Sequence, residues 1–404
     1  MLKVILEVIS IFFALYGLYY GFTAIFAFLK PKKDISDDLK KNTFSIIIAA
    51  RNEEKVIGNL IDSLKNQNYD GDKYEINVIV NNSTDNTFKV AKEHGANVIK
   101  CKVPVKSKGE VLHYIFNEFR KRNFDAYVVF DADNVVHPDF LIHMNRSLNA
   151  GYRVAQGFRD SKNFDDNWIS GSYTLFYYLQ NFFFNLSRKK LNASASINGT
   201  GFMVQKAFIE NLNFTPETLT EDVELTTACA VANEKIDFVK KAITYDEQPT
   251  SFKISLIQRL RWSKGNLQCW KKYHHKLIKC FIKNHNLACI DMYLNNLAAF
   301  VQALSIFVII VGFIERIVTT KVVFSFVGIL SMVVSYLFTF AVTLFVTLYN
   351  KKSVSAMLPS LIFFTLFIVS WFPINIVSLF KKTVKWQHIG HDKDININDI
   401  IKSS

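Results

Sequence analysis

Two aspartates, Asp131 and Asp133, stand two residues apart directly after the apolar run Tyr127-Val-Val-Phe130. Such a run reads as a strand buried on both faces, and carboxylates delivered at its end are costly unless paired or bound to a cation. Hard oxygen donors suit Mg²⁺ or Mn²⁺, and Mg²⁺ characteristically takes one or two carboxylates together with substrate phosphates. The pair is therefore suited to holding a nucleotide diphosphate through a metal and stabilising it as a leaving group; the alternative is a solvated turn. A second acidic group, Thr220-Glu221-Asp222, offers a carboxylate able to take a proton from an acceptor hydroxyl. The same residues also read as a helix start, with Thr220 as the cap and the acids in the first turn; the two readings are compatible. A third group, Gln258-Arg-Leu-Arg261-Trp262, supplies a guanidinium for a departing diphosphate and an indole face for a sugar ring. Its alternative is an interfacial helix with snorkelling cations and an aromatic belt.

The elements that must position these groups are legible in the hydrophobic pattern. Phe44-Ser-Ile-Ile-Ile-Ala-Ala, Glu75 to Val80, Asn97 to Lys100 and Ala126 to Phe130 read as strands. Val56 to Leu64, Phe88 to His94 and a segment from Gly109 read as helices between them. Strands alternating with helices predict a parallel, doubly wound α/β sheet. Ligands on such sheets bind outside the carboxyl ends of the strands. There the chain places Arg51-Asn52-Glu53-Glu54, Asn81 to Thr87, Lys106 and Lys108, and the aspartate pair.

The chain has 404 residues, 50% of them hydrophobic and 14% aromatic, with a formal net charge of +13. Its mean hydropathy is +0.13. The charged residues crowd into the first two-thirds, which excludes a disordered chain, a coiled coil and a disulfide-stapled secreted module. The basic balance points to an anionic partner. Nucleic acid is disfavoured by the apolar spans and the lack of a reading motif, which leaves anionic lipid or a nucleotide. Five cysteines without C-x-x-C spacing read as reduced thiols of a cytosolic domain. Val4 to Leu29 is almost wholly apolar and ends in Lys30-Pro31-Lys32-Lys33, the reverse of a cleavable signal peptide. It reads as a membrane anchor whose C-terminal end is cytoplasmic.

Three further apolar stretches run from about Leu297 to Ile314, Val322 to Leu348 and Met357 to Phe380. The expected organisation is an anchor over 1–33 and a cytosolic domain over 34–250. Basic amphipathic helices over 251–286, spans over 287–380 and a polar tail over 381–404 follow. Four crossings would leave Lys381, Lys382 and Lys385 outside, against the positive-inside rule; Pro359 and Pro373 make a broken or re-entrant last segment the alternative. The aromatic stretch Ile169 to Leu186 reads as an amphipathic helix lying under the bilayer. Polar Asp291, Asn295, Asn296 and Gln302 at the first C-terminal span point to a cavity there.

The ordered set D-x-D, T-E-D and Q-x-x-R-W, over about residues 44 to 272 and the flanking spans, resembles the membrane-integrated family 2 glycosyltransferases. These form the superfamily of cellulose, hyaluronan and poly-N-acetylglucosamine synthases. Phe130-Asp-Ala-Asp-Asn134, Asp160-Ser-Lys-Asn163, Asp165-Asp-Asn-Trp168 and Gly199-Thr-Gly201 look most like its bacterial exopolysaccharide branch. The resemblance implies a GT-A fold, a UDP-sugar donor (UDP-glucose or UDP-N-acetylglucosamine), and Mg²⁺ or Mn²⁺ held by Asp131 and Asp133. It implies that Asp131 also meets the diphosphate, that Glu53, Asp85 and Lys108 contact the nucleotide, and that Asp222, beside Glu221, is the general base. Gln258, Arg261 and Trp262 would close the donor pocket and meet the acceptor, with Asn198, Gly199, Thr200 and Gly201 lining the acceptor site. Many relatives carry Asp where this chain has Asn81, which would shift the uracil or ribose contact toward Asp85. The implied activity is an inverting sugar transfer at the cytosolic face of the plasma membrane. The expected product is a processively built, exported polysaccharide, and the alternative is one sugar added to a lipid acceptor.

Overall fold

The apolar run Phe44–Ala50 forms β1, and every side chain in it except Ala49 is buried. Successive strand residues face opposite sides of a sheet, so Ile46 and Ile48 enter one core and Ile47 the other. The computed structural model describes residues 2–30, 40–320, 326–383 and 390–403. β1 pairs in parallel with β2 (Tyr74–Val80) and β4 (Ala126–Asp131), and β2 with β3 (Asn97–Lys100). The connections carry α2 (Ile57–Lys65), α3 (Thr87–Glu93) and α4 (Lys108–Glu118), as the alternation predicts.

The second half departs from that pattern. It comprises β5 (Val135–Val136), α5 (Phe140–Asn149), β6 (Val154–Ser161), α6 (Trp168–Leu179), α7 (Ser187–Lys190), β7 (Phe202–Gln205), α8 (Lys206–Leu212), α9 (Glu221–Val231) and β8 (Ile236–Asp246). Among the described residues the strands lie in the order β3-β2-β1-β4-β7-β6-β8-β5. β7 runs antiparallel to both β4 and β6, and β5 antiparallel to β8, so the sheet is mixed where a parallel one is expected. The cause is local: β7 begins beside the carboxyl end of β4, with Phe202 opposite Val129, and can only run away from that edge.

The segment Ile169 to Leu186 is core, not a helix lying on lipid. α6 continues into a π-helical turn, Gln180–Leu186, and most of its residues are buried. One side packs on the sheet domain and the other on an apolar helix, through Trp168 against Phe363 and Tyr173 against Phe367.

Residues 251–286 hold a single long helix, α10 (Phe252–Asn284), in place of several. Before the sheet lies α1 (Leu2–Ile25), and after α10 come α11 (Leu287–Thr320), α12 (Phe326–Tyr349), α13 (Val354–Val369), α14 (Trp371–Phe380) and α15 (Ile397–Ser403). Among the described residues, four stretches are long and apolar enough to cross a membrane: Val4–Phe28, Leu287–Thr319, Phe326–Tyr349 and Val354–Phe380. The last is broken at Ser370 between α13 and α14. Pro373 lacks the N–H that would continue the ladder and its ring opposes the carbonyl four residues back, so a new helix starts instead.

Both ends of the broken segment rest on the sheet domain or α10. Lys352, just before α13, pairs with Asp160 at 3.2 Å. On α14, Ser378 accepts from Ser263 Oγ at 2.7 Å, and its carbonyl accepts from Lys264 Nζ at 3.1 Å. Lys381 and Lys382 therefore follow a segment that rests on the sheet domain at one end and on α10 at the other. Lys32, Lys33 and Lys385 lie outside the described residues.

A buried ion pair joins these helices to the sheet domain. Arg188 of α7 meets Asp291 of α11 at 2.7 Å, and Tyr19 of α1 donates to the same carboxylate at 2.9 Å. Asp291→Ala would leave the guanidinium uncompensated, so thermal unfolding in detergent should report a loss of about 3–5 kcal/mol, with Asp291→Asn less affected. A midpoint unchanged by Asp291→Ala would contradict this role.

Candidate active site

The carboxyl ends of β1, β2 and β4 open into a cleft of about 1010 Å³. The turns leaving β1 and β2 use asparagines in the left-handed region, Asn52 (φ 58) and Asn82 (φ 48), a conformation asparagine tolerates better than most residues. Glu53 and Asn81 line the cleft there. Asp85 does not: its carboxylate accepts from the backbone of Glu54 at 3.1 Å and from the Thr87 hydroxyl at 2.6 Å. Burial raises its pKa, but these hydrogen bonds outweigh it and hold it below the ordinary value. Asp85 is thus a brace of the turn into α3, and Glu53 and Asn81 are the residues at this edge that line the cleft.

Asp131 and Asp133 both line the cleft. Lys108, at the first position of α4, donates to Asp131 at 2.5 Å and to the Gly199 carbonyl at 2.6 Å, and lies 3.8 Å from Glu221. Thr200 is buried behind this group, accepting from the Asp131 amide at 3.0 Å. It supports the aspartate turn and is not part of the cleft wall. Burial pushes the Asp133 carboxyl up to about 6, against the pull of His391. A pair of hard-oxygen acids, Asp131 half-buried and Asp133 buried and costly to ionise, fits a divalent cation. Among the described residues no cluster of three or more His, Cys, Asp or Glu side chains could hold a metal, so such an ion would complete its shell with phosphate and water.

The acid pair Glu221 and Asp222 opens α9, as the helix-start reading predicts, although Thr220 makes no side-chain cap bond. Burial raises both carboxyls, while Lys108 and Arg261 pull them down. Gly199 (φ +85) lies against Asp222; a Cβ there would sit 3.4 Å from its Oδ2. α10 reaches this point because Gly265 is small: a Cβ on it would lie 2.3 Å from the Thr220 hydroxyl. Gln258, Arg261 and Trp262 are thereby brought to the cleft, where Arg261 donates to the Leu219 carbonyl at 3.0 Å. The Oε1 of Gln258 and the Nδ2 of Asn198 have no hydrogen-bond partner among the described residues, and they suit substrate hydroxyls.

Several cleft residues carry no motif in the sequence. Arg159, paired with Asp246, donates to the Asn198 carbonyl at 2.6 Å and lies over the Tyr177 ring. Trp371 of α14 stacks near Trp262 and Phe176, with centroids 6.3 and 6.2 Å away. Ile254, Ile257 and Asn295 complete this end, and Gly390 and His391 the other. One signal exists in the sequence: Arg159 directly precedes the phrase Asp160-Ser-Lys-Asn163.

The profile of glycosyltransferase like family 2 matches residues 41–265. The chain is 28% identical over 244 residues to the probable glycosyltransferase YdaM of Bacillus subtilis, covering 55% of this chain and 54% of that one. It is 26% identical over 246 residues to a beta-monoglucosyldiacylglycerol synthase of Nostoc, covering 58% and 51%. The chain therefore spans about half the length of these curated relatives. The structure of a mannosyltransferase from Pyrobaculum calidifontis, solved with GDP-mannose and Mn²⁺, superposes with a TM-score of 0.59 at 14% identity, over 95% of this chain and 100% of that one. The fold is that of the GT-A glycosyltransferases, joined to apolar helices. With a profile match across more than half its length, the chain belongs to glycosyltransferase like family 2.

Proposed function

We propose that the protein is a membrane-bound inverting hexosyltransferase that moves one sugar from a UDP-sugar to a lipid acceptor at the cytosolic membrane face. The observation that carries this reading is the two-ended cleft. One end holds Lys108, Asp131 and Asp133; the other is walled by Ile254, Ile257, Trp262 and Trp371, beside Asn295 of α11. A charged leaving group and an amphipathic acceptor need such a pair of environments. The name of the Nostoc relative, beta-monoglucosyldiacylglycerol synthase, points the same way.

A threaded polymer would need an enclosed polar path through the spans, because sugar hydroxyls cannot be satisfied by lipid. No described residue from 302 to 342 is buried, and Phe307 and Phe338 are 54% and 69% exposed. Gln302, expected on such a path, accepts a hydrogen bond from Asn375 of α14. These features support a lateral opening toward lipid.

In this mechanism Asp222 accepts the proton of the acceptor hydroxyl as its oxygen attacks the anomeric carbon and the bond to the diphosphate breaks. A single in-line displacement inverts the configuration and needs no enzyme nucleophile. Lys108 and Arg261 supply positive charge near the departing oxygen, and Trp262 offers its face to the sugar ring. A divalent ion held by Asp131 and Asp133 would neutralise the diphosphate.

The test is product analysis. Purified protein in nanodiscs containing diacylglycerol, given labelled UDP-glucose or UDP-N-acetylglucosamine and Mn²⁺, should place one labelled sugar on extractable lipid at any donor concentration. A water-soluble product growing with donor concentration would sink the lipid reading in favour of the polymer.

A further inference from the structure

The C-terminal tail returns to the sheet domain. Ile397 and Ile400 are buried against Val135 and Tyr245 in a small core of their own. The residues before them are fastened along one edge of the cleft. Lys393 donates to Asp166 at 2.8 Å, and its carbonyl accepts from Lys162 at 2.9 Å. Asn59 donates to Asp394 at 2.7 Å, and the Glu247 carboxylate accepts from the backbone of Asp392 and Lys393, both at 3.0 Å. Attachment at so many points is unlike a loose plug, since release would break all of these contacts together.

This fastening carries His391 into the cleft wall, between the acids at the ends of two neighbouring strands. Its Nδ1 lies 2.9 Å from Glu53 Oε2, beyond β1, and its Nε2 lies 3.9 Å from Asp133 Oδ2, beyond β4. Glu53, Asp131, Asp133 and Glu247 all line this end of the cleft, and buried like charges repel one another unless a cation or donor holds them. The imidazole is the side chain of the tail that bridges two of these acids.

We infer that the C-terminal tail is a fixed wall of the donor site and that His391 is a positioning residue, holding Glu53 and Asp133 where a nucleotide diphosphate and its metal meet them. The inference rests on the donor reading above. It assigns to the last part of the chain a share in donor recognition that its polar composition does not suggest.

Calorimetry of UDP binding to full-length protein in detergent, with and without Mn²⁺, tests it together with a spin-resonance titration of Mn²⁺ alone. Loss of one charge-assisted contact should weaken UDP binding by about ten- to a hundredfold in His391→Ala. Mn²⁺ affinity should fall, and the donor KM should rise while the acceptor KM holds. The paired change Ile397→Asp with Ile400→Asp, which unseats the tail outside the cleft, should reproduce the loss. His391→Gln, which keeps a donor for Glu53, should recover part of it. Unchanged UDP and Mn²⁺ affinity in both His391→Ala and the isoleucine variant would overturn the inference while leaving the donor reading intact. Tighter binding in either would also overturn it, making the tail a plug. Wild-type protein that binds neither UDP nor Mn²⁺ would overturn the donor reading and this inference together.

Discussion

Asp222→Asn lowers kcat by about 10²–10⁴, the range expected for loss of a general base, while UDP-sugar binding measured by calorimetry stays close to that of the wild type. The separation follows from geometry. The Asp222 carboxylate lies against Gly199 at the start of α9, whereas the acids proposed to meet the diphosphate stand at the end of β4. Burial raises the Asp222 carboxyl above its ordinary value, with the neighbouring cations Lys108, Arg261 and Arg159 opposing the shift. The base works only when ionised. Activity should therefore rise with pH through this raised pKa, so the acid limb of the kcat/KM profile lies above the ordinary carboxylate value of about 3.9. Asp222→Asn should remove that limb along with the rate. A parallel collapse of donor affinity would make Asp222 a donor-site residue instead.

The second large effect is expected at the aspartate pair. Asp131→Asn or Asp133→Asn should each cut turnover by about 10²–10³, the usual scale for removing one charge-stabilising group, and the double change should leave no measurable transfer. The two substitutions should differ in how they act. Asp131 also anchors Lys108, so its neutral amide weakens the hold on the lysine. Asp133 accepts from the Glu247 amide at 3.1 Å and, among the described residues, meets no lysine or arginine side chain within ion-pair distance, so Asp133→Asn should act chiefly on metal binding. A Mn²⁺ titration separates the cases: Asp133→Asn should abolish tight binding, while Lys108→Met should preserve it and slow turnover. Full activity in EDTA, retained when both aspartates are changed, would remove the metal from the mechanism.

Much of this protein is written locally in its chain. The strands β1 to β4 are short apolar runs, and each delivers its polar residues to one edge because parallel pairing aligns all four carboxyl ends. The D-x-D spacing, the acids opening α9 and the Q-x-x-R-W of α10 depend on neighbours a few residues apart, and the structure brings all three to one cleft. The same locality explains the expected site residues that do not line the cleft. Asp85 and Thr200 have the right chemistry, but backbone groups and hydroxyls that the fold brings alongside consume it. The aromatic run Ile169 to Leu186 has the composition of a lipid-facing helix, and only the packing of α13 over α6 makes it core.

The seating of the last apolar segment on the sheet domain and α10, the place of Arg159 in the cleft and the return of His391 to Glu53 depend on contacts between residues far apart in the chain. Hydrophobic period and motif spacing report what a segment can bury or bind. They cannot report which distant segment supplies the partner, because that choice is made by packing and charge pairing across the whole molecule.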